Sequence, residues 1–517
     1  SVPLLVVSGN ESTFHIQNMS SLRGFGVQGF ESVAVMAPIA KLARRVEALE
    51  EVLLTFETAF QVCIDSRPGP VFVDFPMNLQ RQLLESTMEA SPLESGSAER
   101  AKIFLSPADP EAKLLALGEA LFRAKRPLLY FGAGIRSAGA VREAIKFAED
   151  FGLPFILSWS AIDFCDETHP LNFGRAGIYG DRHVNLALQQ ADLLLALGTR
   201  LAIPQVGYDR NDFAREAERW VVDVDPTELS KFDSPAWNLI QADAGAAIRA
   251  LHARERSAER LSDLEPWISR LGELSREFPR SQQIGSPAPN GFIHSFDFVQ
   301  ELCGLSTNST IVVTDVGAGL LTGHYGWSVK QGQRIFTSQG LGEMGFGLPG
   351  AIGAQVSSPQ QTVICLNTDG GIMFNLQEMQ LVKTYGLPIK LVILNNMGYT
   401  SIRSSQDNLF DGRRNGSEVG QDIGFPRFSE IAAVFGMRHT LVDSVEVARA
   451  KLPDVLSSAQ AELIEVKMSA DQLYLPRLAT GKNTDGSFSS PPIEDLTPRL
   501  NADFLARWLG KEPVADE

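Results

Sequence analysis

Residues 367–398 read NTDGGIMFNLQEMQLVKTYGLPIKLVILNNMG, and in this stretch two polar turns each follow an apolar run. The apolar runs at 362–366 and 389–394 predict two buried strands, and the pattern at 376–384 predicts a helix between them. A strand, a helix and a second strand at this spacing form a right-handed crossover with parallel strands. The carboxyl ends of both strands therefore lie at the same edge of one sheet.

Oxygen-bearing groups suited to a hard cation follow both predicted strands. Asp369 comes after the first strand and Asn396 after the second, so parallel pairing brings them together. With the backbone carbonyl of Gly398, they supply ligands of the kind that Mg²⁺ prefers and leave room for diphosphate oxygens. Gly370 and Gly371 let a phosphate approach the backbone, and the free amides and dipole of the next helix attract it. The alternative is a glycine-rich turn in an ordinary α/β domain, which the later asparagine disfavours.

This pattern resembles the fingerprint of thiamine diphosphate enzymes, in which Gly-Asp-Gly precedes a strand that ends in Asn-Asn. The resemblance implies that Asp369, Asn396 and the Gly398 carbonyl bind Mg²⁺, and that Gly370 and Gly371 contact the diphosphate. Thr368 stands where the fingerprint has its first glycine, which bears on the turn geometry but keeps the ligand positions.

A second block, GLGEMGFGLP at 340–349, is similar to the segment with which acetolactate synthase and its relatives hold the aminopyrimidine. By this resemblance Met344 is the large residue that forces the bent cofactor shape, while the Gly342 carbonyl and the Met344 amide hold the pyrimidine. Val316 and Gly317 follow a predicted strand at 311–313, where the family has a turn that touches the diphosphate through its backbone.

Two catalytic positions are implied by the same resemblance near the start of the chain. Gln28 matches a family glutamine that faces the reactive end of the cofactor from the partner subunit, and Lys41 matches a lysine after the same helix. The alternative interpretation is a solvated glutamine and a surface lysine on an amphipathic helix. Helices are predicted at about 33–46 and 51–64.

Three further turns in the middle of the chain are typical of a nucleotide site. Gly132, Ala133 and Gly134 follow one predicted strand, and Asp223 ends another. At the carboxyl edge of a doubly wound sheet, glycines permit backbone approach and an acidic residue can bind ribose. Between these turns lie Gly198, Thr199 and Arg200, with the arginine expected to meet a phosphate. In acetolactate synthase these places hold FAD, in oxalyl-CoA decarboxylase-like relatives ADP, and in others nothing.

The fold class expected from this order is α/β, with three doubly wound parallel-sheet domains resembling the acetolactate synthase and pyruvate oxidase branch. The expected parts are the C-terminal portion of a pyrimidine-binding domain at 1–90, a central FAD or nucleotide-type domain at 111–255 and a thiamine diphosphate-binding domain at 291–480. A tail at 481–517 is expected to drape over the surface.

The first domain is shorter than in the family, and the absent portion there carries the glutamate that protonates the aminopyrimidine. A truncated or split gene, or a separate chain that supplies this segment, is therefore expected, with slow turnover of pyruvate in its absence.

Composition restricts the class of protein and its partners. The chain of 517 residues is 44% apolar and 21% charged, with a net charge of −16, which argues against a nucleic-acid partner. No apolar run approaches the ~20 residues of a membrane span, so no membrane partner is expected. The 4 cysteines show no metal-binding spacing and suit a reducing, cytoplasmic environment.

The expected activity is that of a homodimeric or tetrameric thiamine diphosphate- and Mg²⁺-dependent carboligase of the acetolactate synthase type. Such an enzyme decarboxylates a 2-oxo acid such as pyruvate and transfers the two-carbon unit to a carbonyl acceptor. Acetolactate synthase has an acceptor-pocket tryptophan shortly after Asn-Asn, and residues 400–406 contain none. The alternatives are a relative that acts on a nucleotide-linked sugar or another specialised acceptor, and a non-catalytic subunit that binds the cofactor.

Overall fold

The chain forms three parallel β-sheets, each covered by helices, followed by a C-terminal segment. This architecture is the α/β fold class that the sequence predicts. The computed structural model describes residues 1–17, 22–24, 27–84, 110–254, 264–280, 288–482, 485 and 487–510. Within these residues no helix is long and apolar enough to cross a membrane.

The first unit is the smallest, with three parallel strands in the order β1-β3-β2. Its strands are β1 Leu4–Asn10, β2 Leu42–Arg45 and β3 Pro70–Pro76. Its helices are Thr13–Gln17, Ser32–Met36, Val52–Ile64 and Met77–Gln80, with a 3₁₀ turn at Leu49–Glu51.

The predicted helix at 33–46 is wrong, and the predicted helix at 51–64 is observed as Val52–Ile64. The first helix is only Ser32–Met36, because Pro38 lacks an amide hydrogen to continue it. The chain then enters β2, which pairs with β3 in parallel. A tertiary strand partner thus overrides the helical periodicity of this segment.

The central unit is a six-stranded parallel sheet in the order β6-β5-β4-β7-β8-β9. Its strands are β4 Pro127–Phe131, β5 Phe155–Leu157, β6 Asn172–Arg175, β7 Leu193–Leu197, β8 Glu218–Asp223 and β9 Trp237–Gln241. Its helices are Pro110–Arg123, Ala133–Ser137, Val141–Phe151, Arg182–Leu188, Ile203–Val206, Pro226–Leu229, Ala244–His252 and Glu265–Glu277, with a 3₁₀ turn at Trp159–Ala161. The strand order reverses between β4 and β7, which is where such sheets open a crevice.

The third unit is a six-stranded parallel sheet in the order β11-β10-β12-β13-β15-β14. Its strands are β10 Ile311–Thr314, β11 Arg334–Phe336, β12 Val363–Thr368, β13 Lys390–Asn395, β14 Arg438–Val442 and β15 Glu462–Lys467. Its helices are Ser295–Leu305, Ala318–Gly326, Gly347–Ser357, Asp369–Ile372, Met379–Tyr385, Thr400–Leu409, Phe428–Val434 and Val445–Ser457, with a 3₁₀ turn at Leu376–Glu378. The predicted parallel pairing of the two strands is confirmed, since β12 and β13 are neighbours.

The C-terminal segment is anchored on the central unit rather than draped over it. It contains a two-stranded antiparallel pair, β16 Gly481–Lys482 and β17 Phe488–Ser489, and the helix Ala502–Trp508. The buried Glu494 carboxylate accepts hydrogen bonds from Arg215 at 2.7 Å and Gln189 at 2.8 Å. Such fully paired buried charges fix the segment in one place.

Hydrogen bonds hold the central and third units together. Arg175 donates to the carbonyls of Tyr325 at 3.2 Å and Trp327 at 3.1 Å. At the edge of the same interface, the Ser160 hydroxyl donates to the Gln339 side chain. The carboxyl edge of the central sheet therefore lies close to the segment that precedes the 340–349 block.

Candidate active site

The turn after β12 has the geometry of a short helix start. Thr368 lies in the extended region at φ −123°, where any residue fits, and its hydroxyl accepts a hydrogen bond from the Gly371 amide at 2.9 Å. The threonine that departs from the thiamine diphosphate fingerprint thus caps the helix Asp369–Ile372. The turn does not need a glycine at this position.

Asp369 is fully buried at the point where the loops after β12 and β13 touch. Its Oδ2 accepts a hydrogen bond from the Gly398 amide at 3.0 Å, and its Oδ1 accepts one from the Gly370 amide at 2.8 Å. Burial raises the pKa of the Asp369 carboxyl to about 6, because desolvation disfavours the charged form, while these amides act in the opposite direction. A bound cation would compensate the desolvated carboxylate.

Asn396 presents an oxygen that has no hydrogen-bond partner among the described residues. The residue is only 3% exposed, its Nδ2 donates to Thr400 Oγ1, and its Oδ1 is buried and unpaired. Buried polar atoms are normally satisfied, so an orphaned carboxamide oxygen beside a desolvated carboxylate fits a hard cation. The described residues contain no group of three or more His, Cys, Asp or Glu side chains that could hold a metal. A set of one carboxylate, one carboxamide and the Gly398 carbonyl does not depend on such a group.

The first amides of the turn are engaged within the turn itself, unlike the free amides expected from the sequence. The Gly370 amide bonds to the Asp369 carboxylate and the Gly371 amide bonds to Thr368. The glycines are needed because a Cβ at Gly370 would overlap the Tyr399 ring, and one at Gly371 would overlap the Asp315 carboxylate. Close packing of three loops therefore explains both glycines without a ligand.

A buried aspartate that the sequence analysis missed organises the rest of this edge. Asp315 follows β10, and its Oδ1 accepts hydrogen bonds from the amides of Gly345 and Gly347, each at 3.0 Å. Burial raises the pKa of the Asp315 carboxyl, against the effect of these amides. The signal was present in the sequence, since an acidic residue directly after an apolar strand lies at the carboxyl edge of the sheet.

The 340–349 block lies beside the turn after β10. A Cβ on Gly342, whose φ is +67°, would lie 3.4 Å from Val316 Cγ2. The Asn375 side chain donates to the Gly345 carbonyl at 2.7 Å and so ties the block to the Asp369 turn. Gly342 and Met344 lie in the irregular segment before the helix Gly347–Ser357, and Gly317 begins the helix Ala318–Gly326. The positions predicted to contact the diphosphate, the pyrimidine and the metal therefore share one sheet edge.

Gln28 and Lys41 belong to the first unit and contact none of these loops within the described chain. Gln28 is exposed in a turn. The Lys41 ammonium donates to the carbonyls of Val62 at 2.6 Å and Asp65 at 2.9 Å, at the carboxyl end of the helix Val52–Ile64. Burial lowers the pKa of Lys41. Within one chain Lys41 stabilises a helix terminus.

The central-unit glycines pack against each other. The Gly132 amide donates to Leu197 O at 3.0 Å and the Gly134 amide to Gly198 O at 2.8 Å. A Cβ at Gly134 would lie 2.7 Å from Gly198 Cα, and Gly198 itself has a φ of +58°. Gly132 and Gly134, which flank Ala133, and Gly198 in the other turn are thus required by backbone contact, and they give no separate indication of a nucleotide.

The polar residues at this edge have protein partners. Thr199 Oγ1 accepts from Gln205 at 2.8 Å, and Arg200 Nε lies 3.9 Å from a Glu228 oxygen. Asp223 accepts a hydrogen bond from the Asp225 amide at 2.9 Å, and burial raises the pKa of its carboxyl. Arg200 is the most exposed of the three predicted contacts and the one best placed to change partners.

Comparison with known proteins gives two family matches. Residues 115–251 match the thiamine pyrophosphate enzyme central domain, and residues 315–466 match the C-terminal TPP binding domain. The acetolactate synthase isozyme 1 large subunit of Escherichia coli K12 is 29% identical over 487 residues, which cover 93% of this chain and 80% of that protein. The acetolactate synthase large subunit of Lactococcus lactis is 27% identical over 488 residues, covering 94% and 80%.

The C-terminal match begins at Asp315 and extends through Asp369 and Asn396, so it contains the loops that meet at the sheet edge. The central match contains β4 through β9. The similarity to acetolactate synthase large subunits runs through both regions and covers most of the chain. The chain belongs to the thiamine pyrophosphate enzymes and is similar to acetolactate synthase large subunits.

Proposed function

We propose that the protein is a thiamine diphosphate- and Mg²⁺-dependent carboligase. It decarboxylates a 2-oxo acid such as pyruvate and transfers the two-carbon unit to a carbonyl acceptor. The observation that carries this proposal is the buried, unpaired Asn396 Oδ1 beside the desolvated Asp369 carboxylate, within a domain of the thiamine pyrophosphate family.

Each loop at the sheet edge has a role in this proposal. Asp369, Asn396 and the Gly398 carbonyl hold Mg²⁺, and the close-packed Gly370–Gly371 turn and the open Val316–Gly317 turn shape the diphosphate end of the site. Gly342 and Met344 contact the aminopyrimidine, and Asp315 keeps their segment in place. The chemistry that thiamine diphosphate supplies when bound is an electron sink for loss of carbon dioxide from the 2-oxo acid. The chain orients that group and keeps water from the reacting atoms.

The proposed acceptor is a second carbonyl compound, in keeping with the similarity to acetolactate synthases. The stretch 400–406, which lacks the tryptophan of those enzymes, forms the start of the helix Thr400–Leu409. Pyruvate alone should therefore be compared with pyruvate plus aldehydes or a nucleotide-linked keto sugar. Product analysis identifies which acceptor is used.

Further proposals concern a second ligand, the domain boundaries and assembly. We propose that FAD binds at the carboxyl edge of β4, β7 and β8, where Arg200 and Asp223 contact it. We also propose that the chain divides into domains at 1–90, 111–255 and 291–480. We also propose a homodimer or tetramer, with Gln28 and Lys41 of one subunit near the cofactor of the other. The relatives named as large subunits are similar along most of this chain.

The central test is the substitution Asp369→Ala, measured by calorimetry with Mg²⁺ and thiamine diphosphate. It removes the only carboxylate proposed to bind the metal, and we expect cofactor retention and carbon dioxide release from pyruvate to be lost. Asp407→Ala on the adjacent helix, where the carboxylate pairs with Arg414 at the surface, is the matched control and should change neither. Unchanged cofactor affinity in the Asp369 variant would exclude this site. Cofactor binding without carbon dioxide release in the unaltered chain would favour a non-catalytic subunit.

A further inference from the structure

The loop that carries two of the proposed metal ligands is strained. Met397 has a φ of +61°, and Gly398 has a φ of +150° with the Ser417 carbonyl so close that a Cβ would overlap it. A methionine in the left-handed region is strained and persists only where the surroundings enforce it. Some group in the chain must therefore hold the loop.

Arg403 is that group. It lies one turn into the helix Thr400–Leu409, is 2% exposed, and is among the largest fully buried side chains of the protein. Its Nη2 donates to the Asn396 carbonyl at 3.2 Å, and its Nη1 donates to the Met397 carbonyl at 3.3 Å. A Cβ at Gly398 would lie 2.6 Å from Nη1, so the guanidinium packs directly against the loop.

The same guanidinium also reaches the Asn396 side chain through a threonine. Thr400 Oγ1 accepts from Arg403 Nη2 at 3.3 Å and from Asn396 Nδ2. Because the amide nitrogen is directed at Thr400, the Asn396 oxygen is left without a hydrogen-bond partner in the part of the chain that the structure describes. Outer hydrogen bonds of this kind orient metal ligands in other proteins.

The charge of Arg403 is used in an unusual way for a buried arginine. Within the described part of the chain it has no carboxylate at ion-pair distance, and its remaining bond is to the Ala470 carbonyl at 3.0 Å. Its Nε has no hydrogen-bond partner among the residues that the structure describes. Burial of a cation without an ion pair costs free energy, yet this arginine donates its hydrogen bonds to backbone carbonyls, including those of the 396–398 loop.

We propose that Arg403 is a positioning residue for the metal site. Its guanidinium holds the strained loop at 396–398 so that Asn396 Oδ1 and the Gly398 carbonyl face the cation. This inference rests on the proposed function, because it concerns the same Mg²⁺ site. Arg403 lies outside the proposed ligand set, and its loss should lower metal affinity although the residue does not contact the metal.

The test measures Mg²⁺ affinity by calorimetry, and Mn²⁺ affinity by electron paramagnetic resonance, in the presence of thiamine diphosphate. Arg403→Met removes the donors and the charge, and we expect divalent-metal affinity to fall roughly 10- to 100-fold, as for other outer-shell changes. Arg403→Lys keeps the charge but loses the planar fork, and should recover only part of the affinity.

Arg219 provides a matched control in the central unit. It is also a buried arginine, it lies in the strand β8, and within the described residues it donates only to carbonyls, those of Arg210, Asn211 and Phe213. Arg219→Met should lower thermal stability in the same way as Arg403→Met, yet leave metal affinity within about twofold. A general loss of stability would therefore lower metal affinity in both variants, whereas a positioning role lowers it only in Arg403→Met.

Thr400→Val is the second variant, for the case that Arg403→Met does not fold. It removes only the hydroxyl between Arg403 and Asn396, and metal affinity should fall about 3- to 10-fold. The inference would be overturned if a folded Arg403→Met variant kept its metal affinity within twofold. If only Thr400→Val is soluble, unchanged metal affinity in that variant would overturn it instead. If Asp369→Ala also leaves metal affinity unchanged, the proposed site itself fails. If only Asp369→Ala abolishes binding, the failure is confined to Arg403.

Discussion

At the scale of single residues, the site depends on groups that are desolvated before any ligand arrives. Asp369 and Asp315 are both fully buried, and burial raises the pKa of each carboxyl. Backbone amides partly compensate these carboxylates and fix their orientation. Burial makes the charged carboxylates unfavourable, and either a bound cation or a proton relieves this cost. Metal affinity and pH are therefore linked.

We expect Mg²⁺ affinity to depend on pH through Asp369, whose pKa is about 6 in the metal-free protein. The metal needs the carboxylate, so below this pKa a proton competes and affinity should fall roughly tenfold per pH unit. The folded pKa lies above that of an unfolded aspartate, so the metal-free folded state binds the extra proton. Its stability should therefore rise as the pH falls from about 6 towards about 4.

Thermal unfolding with and without Mg²⁺, between about pH 5 and pH 8, measures both effects. In Asp369→Asn the group no longer titrates, so the contribution of this residue to the pH dependence of metal-free stability should disappear. An Mg²⁺ affinity that stays constant through this range in the unaltered protein contradicts the assignment of Asp369 as a ligand.

At the scale of elements, strands flanked by polar turns were predictable and close contacts between loops were not. The observed β12 and β13 lie within one or two residues of the predicted runs, because continuous apolar residues mark strands buried on both faces. The predicted helix at 376–384 is instead a 3₁₀ turn at Leu376–Glu378 followed by the helix Met379–Tyr385. Asp369, Asn396 and Asp315 each follow a strand directly, which is a position that a sequence pattern can indicate. The role of Arg403 instead arises from tertiary packing that a sequence pattern does not encode.

The turns after β4 and β7 show why a glycine pattern alone is a weak indicator of a nucleotide. Their glycines are accounted for by the close approach of the two backbones. The FAD proposal therefore rests on Arg200 and Asp223, and we expect Arg200→Met to lower flavin occupancy about tenfold by removing a charge-assisted contact. Visible absorbance of the purified protein is the measurement, and Arg123→Met, an exposed arginine of the same unit, is the control. Release of ADP, or of no nucleotide, from the denatured protein refutes the FAD proposal.

At the scale of the whole molecule, apolar side chains lie exposed around the edge where the three loops meet. Leu341, next to Gly342, is 93% exposed. Phe374, after the helix Asp369–Ile372, is 58% exposed, and Met397, in the 396–398 loop, is 47% exposed. Exposed apolar groups clustered at a functional site mark a surface that another polypeptide covers. A second copy of this chain is the proposed partner. In a symmetric dimer each subunit would cover this surface of the other, so the dimer would contain two equivalent sites.

We expect Phe374→Glu to weaken this assembly, because it places a charge where an apolar surface is to be buried. Light scattering should show a shift towards monomer, and thiamine diphosphate affinity should fall with it, since a site shared between subunits is incomplete in a monomer. Leu115→Glu is the control: Leu115 is a similarly exposed leucine on the central-unit helix Pro110–Arg123, and its replacement should change neither quantity. A monomeric unaltered protein that binds the cofactor with full affinity contradicts the proposal. The surface around Leu341 and Phe374 would then serve substrate entry instead of subunit contact.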